Sequence, residues 1–123
     1  MPALTRKEQE AQTLCAGLMA ARAACWQQHG GKDTEQCLRE ELLEKRCIAR
    51  VTCRREAEAF YGADPARPAA CSLWAEAFAF KGSAEHERGR AEVQASPALR
   101  SMCVGATQDV SHCLADAAAR LYH

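Results

Sequence analysis

Large apolar side chains are scarce in this 123-residue chain. Apolar residue types make up 48 %, but alanine supplies 26 residues and cysteine 8, leaving 25 large side chains. At ~1.5–3 kcal/mol per fully buried large side chain, that is a thin core, and thin cores need staples. Ile and Val together number 5, too few to build a sheet. Charge of one sign is also missing: 16 basic and 16 acidic residues cancel, which argues against a general nucleic-acid or membrane-surface binder. No stretch reaches the ~20 apolar residues of a membrane span, and the longest candidate, Leu14 to Trp26, is broken by Arg22. The first ten residues hold no apolar core and carry Glu8 and Glu10, so neither a secretory signal nor a matrix presequence is expected there.

Catalytic and metal signatures are missing as well. There is no Gly-rich phosphate loop, nucleophile elbow, His-Glu-x-x-His or C-x-x-C, and no Cys-Cys or C-x-C pair of the kind that carries copper. The histidines, His29, His86, His112 and His123, are never three or four residues apart. The reading is therefore of a non-enzyme with no cofactor and no metal site.

What is present is good helix formers and eight cysteines. Ala, Leu, Glu, Gln, Arg and Lys dominate, giving an all-α expectation. Thr5-Arg6-Lys7-Glu8 is a capping box opening a first helix, which should stop at Gly30-Gly31. A second helix begins after Asp33 and continues to Tyr61, where Gly62, Pro65 and Pro68 end it. A third covers Ala69 to Lys81. Ser83 to Ala95 reads as a polar connector or weak helix. Ser96 then caps a fourth helix with Pro97 at its first position. Its apolar stripe is Leu99, Met102, Cys103, Ala106, Val110, Cys113, Leu114, Ala117 and Leu121. Residues 1–61 form a helical hairpin in this reading, and residues 62–123 a second helical segment packed on it.

Cys15/Cys25, Cys37/Cys47 and Cys103/Cys113 share the spacing C-x9-C. Ten residues of helix rise about 15 Å, so the members of a pair cannot bond each other and must reach a neighbouring helix. About a turn near residue 31, Cys25 and Cys37 sit at one height and Cys15 and Cys47 at another, predicting Cys25–Cys37 and Cys15–Cys47. For the other four cysteines, Cys71–Cys113 with Cys53–Cys103 and Cys71–Cys103 with Cys53–Cys113 both survive. The first is preferred, because Cys71 and Cys113 are equidistant from a midpoint near residue 92.

A hairpin joined by two C-x9-C motifs resembles the twin C-x9-C, or coiled-coil-helix–coiled-coil-helix, family, specifically over residues 15–47 and in part over 53–113. The resemblance implies a disulfide-stapled antiparallel hairpin extended by two further helices. It implies residence in the mitochondrial intermembrane space, peripheral to the inner membrane, and trapping there by a disulfide-relay oxidoreductase. Cys71, Trp74 and Phe78 match the family's import-docking pattern of a cysteine followed by an aromatic and an apolar residue, and plain core packing also accounts for Trp74 and Phe78. The family role expected is an accessory subunit of a respiratory-chain complex, with protein partners in the inner membrane. A cytochrome oxidase assembly factor or chaperone and a mitoribosomal protein are the alternatives. For partner contact the sequence offers a basic stripe, Arg46, Arg50 and Arg54, flanked by Lys45 and Arg55, and the aromatic pair Phe60 and Tyr61. A solvated face, partly neutralised by Glu40, Glu41, Glu44 and Glu56, also accounts for the stripe.

Overall fold

The computed structural model describes residues 3–31 and 35–122. Asp33, read as the start of the second helix, and His123 lie outside them. Among the described residues there are seven α-helices and no strand. Thr5 opens α1 (Arg6–Leu14) through the capping box: Glu8 N–H donates to Thr5 Oγ1 at 3.1 Å, and Thr5 N–H donates to Glu8 Oε1 at 3.0 Å. α2 (Ala16–His29) ends at Gly30, whose left-handed φ of 89° suits glycine. A 3₁₀ turn over Glu35–Cys37 leads into α3 (Leu38–Thr52) and α4 (Arg54–Tyr61). The first and second helices of the sequence reading are thus each divided, at Cys15 and Cys53, where the backbone leaves helical dihedrals for one residue.

The second half departs further from expectation. The third helix is short, with α5 over Ala70–Ala75 and a 3₁₀ turn over Ala77–Ala79. The polar connector is a full helix, α6 (Ala84–Ala95), because Ser83 caps it by accepting from His86 N–H. α6 folds back against α5 about the turn at Gly82, and the two pack closely where Gly89 meets Leu73. Ser96 and Pro97 then start α7 (Pro97–Leu121) as the sequence indicates.

α1 and α2 pack on α3, α5 packs on α6, and α7 runs past α4, α5 and α6 to reach α3 and α1. One core joins both halves: Ile48, Phe60, Tyr61, Val93, Val110, Leu114 and Leu121, interleaved with Ala11, Ala49, Ala57, Ala117 and the cysteines Cys15, Cys53, Cys71 and Cys103. The α7 stripe is buried through Cys103, Val110, Leu114, Ala117 and Leu121, but Met102 faces solvent. Among the described residues no helix is long and apolar enough to cross a membrane.

Gly89 tests the α5–α6 contact. A Cβ there would sit 2.4 Å from Leu73 Cβ, so Gly89→Ala should destabilise by about 1–3 kcal/mol. Gly105→Ala, with nothing within 4 Å of its added carbon, should stabilise α7 by roughly 0.5–1 kcal/mol. Urea unfolding of both variants with all bridges oxidised checks the opposite signs.

Candidate functional site

All eight cysteines are bonded, and every bridge joins different helices or helix ends. Cys15–Cys47 and Cys25–Cys37 form two rungs of the hairpin, with Cα separations of 5.9 and 5.8 Å. In the second half the preferred arrangement is overturned. Cys71–Cys113 and Cys53–Cys103 do not form; Cys53 bonds Cys113 and Cys71 bonds Cys103, with Cα separations of 6.1 and 5.0 Å. Equal heights about residue 92 require residues 83–95 to be a spacer. As helix α6 they instead carry the chain back to the start of α5, so α7 begins beside Cys71 and its first cysteine is the one in reach. Ten residues further along α7, Cys113 arrives at Cys53.

This register also sets the polar contacts of α7. Tyr122 lies nine residues after Cys113, and Glu44 nine before Cys53. The Tyr122 hydroxyl donates to the buried Glu44 carboxylate, which also accepts from Arg22 Nε. The Arg22 guanidinium lies over the Trp26 ring at 4.2 Å and the Tyr122 ring at 5.2 Å, and Trp26 Nε1–H donates to Glu41 at 2.8 Å. Together with Ile48, Leu114 and Ala118, these groups line a cleft of ≈ 230 Å³. Sequence reasoning missed this cluster, although a signal existed: Arg22 precedes Cys25, and Glu44 precedes Cys47, by three residues, which places both on the bonded faces of their helices.

The basic stripe does not stand as a free surface. Arg46 donates to Glu76 at 3.0 Å, and Arg50 donates to the Gly62 carbonyl at 2.9 Å. Their guanidinium carbons lie 5.4 and 5.7 Å from the Tyr61 ring centre. Of the three arginines only Arg54 projects outward, in an exposed pair with Glu58. Phe60 and Tyr61 are buried edge to face at 4.7 Å, so neither is available to a partner. α5 packs on α4, and Glu76 at its end reaches Arg46 on α3, while Arg50 is held by the Gly62 carbonyl at the end of α4.

Of the docking pattern, Cys71 is buried in its bridge, Trp74 is half-buried against α7, and Phe78 is exposed. Trp74 and Val104 line a shallow cleft between α5 and α7, with Ala75, Thr107 and Gln108. The one buried histidine among the described residues, His86, stacks on Phe80 at 4.4 Å, with Nδ1 2.8 Å from Ser83 Oγ. Burial pushes its imidazole below the usual range, and Arg46 and Arg39 add to that. His29 and His112 are exposed. Burial raises the Glu76 carboxyl against the opposing hydrogen bond from Arg46, so ionising Glu76 opposes folding.

Comparison with protein-family models, with curated proteins and with solved structures finds no match. Four disulfide-bonded pairs in an all-helical chain are compatible with a coiled-coil-helix–coiled-coil-helix type of fold.

The link between chain ends carries a pH prediction. Arg120 donates from Nε to both Glu8 oxygens at 2.8 Å, which holds the Glu8 carboxyl below its ordinary value of 4.5 despite burial. A depressed folded pKa means that ionised Glu8 stabilises the fold above pH 4.5, and this contribution is lost as pH falls through the folded value. Glu8→Gln keeps an acceptor for the capping box but loses the charge. It should be less stable than the wild type at pH 7, and the gap should narrow steadily below pH 4.5 in urea titrations. A gap independent of pH would show that the charge does not matter.

Proposed function

We propose that this chain is a twin C-x9-C protein of the mitochondrial intermembrane space and acts as a non-catalytic accessory subunit of a respiratory-chain complex, peripheral to the inner membrane. The observation that carries the reading is the two-rung hairpin: two C-x9-C motifs on antiparallel helices, bonded outer to outer and inner to inner. A disulfide framework of this density fits an oxidising compartment. The second pair of bridges extends the staple to α5 and α7, and such a rigid body suits a clamp on a larger assembly.

The charged groups favour this reading over an RNA-binding one. Arg46 and Arg50 are committed to Glu76, Gly62 and Tyr61, so the stripe offers little to a phosphate backbone. Exposed Val104 and half-buried Trp74 line a cleft better matched to a protein.

The test is a tagged chain purified from detergent-solubilised mitochondria. A stoichiometric association with a respiratory complex, together with release from the intermembrane space on outer-membrane rupture, is the expected result. Sedimentation with the small ribosomal subunit, or a cytosolic pool with free thiols, would contradict it.

A further inference from the structure

Among the described residues, the Cys53–Cys113 bridge alone has a carboxylate within ligand distance of both sulfurs. The two sulfurs and a Glu56 carboxylate oxygen lie within 4.8 Å of one another, where α4 crosses α7. Glu56 follows Cys53 by three residues, so helical geometry aims both side chains the same way. Glu56 is half-buried, and among the described residues it has no hydrogen bond or ion pair; nearby Arg54 bonds Glu58 instead. A carboxylate accepts and does not donate, and a disulfide sulfur has no proton to give. In the oxidised protein the Glu56 carboxylate therefore faces the disulfide with no hydrogen bond between them; the Thr52 hydroxyl, 3.5 Å from Cys53 Sγ, is the donor beside the bridge.

Reduction changes that chemistry. We propose that Cys53, Cys113 and Glu56 form a latent metal site: opening the bridge creates a thiolate–thiolate–carboxylate set for one borderline-soft divalent cation, of which zinc is the type. A thiol reductant supplies two electrons. The Cys53–Cys113 S–S bond breaks, one S–S bond forms between two reductant thiols, and their protons move to the two cysteine sulfurs. The cation then displaces both protons to solvent, takes a Glu56 oxygen as third ligand, and keeps one water as fourth. At zinc–sulfur distances of about 2.3 Å, a tetrahedral pair of sulfurs stands ~3.8 Å apart. Helices whose Cα atoms are already 6.1 Å apart at this bridge accommodate that by side-chain rotation.

Cys53 and Cys113, though not Glu56, border a surface cleft of ≈ 430 Å³ that is also lined by Glu8, Asp116, Arg6, Lys7 and Arg120. Asp116 follows Cys113 by three residues, as Glu56 follows Cys53. Asp116 lines the cleft but lies outside the 4.8 Å cluster, so Glu56 is the carboxylate that meets both sulfurs. Metal and disulfide exclude each other, so the same two side chains join α4 to α7 through a cation when reduced and through a covalent bond when oxidised.

The coupling is measurable on the intact, oxidised chain. The protein is equilibrated in glutathione redox buffers with free zinc either fixed by a chelator or absent. Each bridge is then scored by thiol alkylation and peptide mass. A cation that binds only the opened form favours opening by mass action, ~100-fold when free zinc is 100 times the dissociation constant. The expected result is that zinc makes Cys53–Cys113 open at a ratio of [GSH]² to [GSSG] at least tenfold lower, with one zinc per chain. The other three bridges should not move, and Glu56→Gln should abolish most of the shift. No shift, an equal shift at all four bridges, or an unchanged shift in Glu56→Gln would each overturn the proposal. The Glu56→Gln control folds or fails visibly in the metal-free series, where its four bridges should open as in the wild type.

Discussion

A helix rises about 15 Å over ten residues, whereas a disulfide joins α-carbons about 6 Å apart, so no cysteine of a C-x9-C pair can close on its own partner. Everything else in this protein follows from where each sulfur must go instead. α1 and α2 are held against α3 because Cys15 and Cys25 have only Cys47 and Cys37 at matching heights. α7 is held antiparallel to α3 and α4 by Cys53–Cys113, and that register is what brings Tyr122 to Glu44. The bridges close loops of 12, 32, 32 and 60 residues. Chain-entropy reasoning assigns about 3–4 kcal/mol to each alone, and less to each in company, since the loops overlap.

With the topology fixed covalently, the core can be small. Alanine and cysteine fill many positions where a larger domain would use leucine, and the helices approach closely, as at Gly89 and Leu73. The same closeness buries charge. Glu8, Glu44 and Glu76 are nearly inaccessible, and each is met by an arginine from a distant segment: Arg120, Arg22 and Arg46. Pairs of this kind add little net stability, but removing one partner strands the other, so they penalise wrong docking more than they reward right docking. In a chain with few large side chains, they contribute specificity that shape alone would not.

The local signals were legible in the sequence: the Thr5 capping box, the Gly30 stop, the Ser96-Pro97 start and the two rungs about the first turn all act through neighbours within a few residues. What was not legible depended on one helix. Residues 84–95 have no clear apolar stripe, since their buried positions are His86, Gly89 and Val93, and a glycine leaves no hydrophobic mark. Read as a connector, the segment misplaced the start of α7 and exchanged the partners of Cys53 and Cys71. It also hides the packing of α5 on α4 and the reach of Glu76 to Arg46, so that face reads as free in the sequence. The acidic partners were unreadable for a related reason: Glu8 and Arg120 are 112 residues apart, and no local pattern pairs them.

The central claim is that the α5–α6 hairpin returns the chain to Cys71 before α7 begins, and the disulfide partners report this directly. Proteolysis of the oxidised protein at low pH, where thiol exchange is suppressed, followed by mass spectrometry without reduction, reads all four at once. The account predicts a peptide pair linked through Cys53 and Cys113 and another through Cys71 and Cys103, beside the two hairpin rungs. Links from Cys71 to Cys113 and from Cys53 to Cys103 would contradict it, and would mean that residues 84–95 do not fold back on α5.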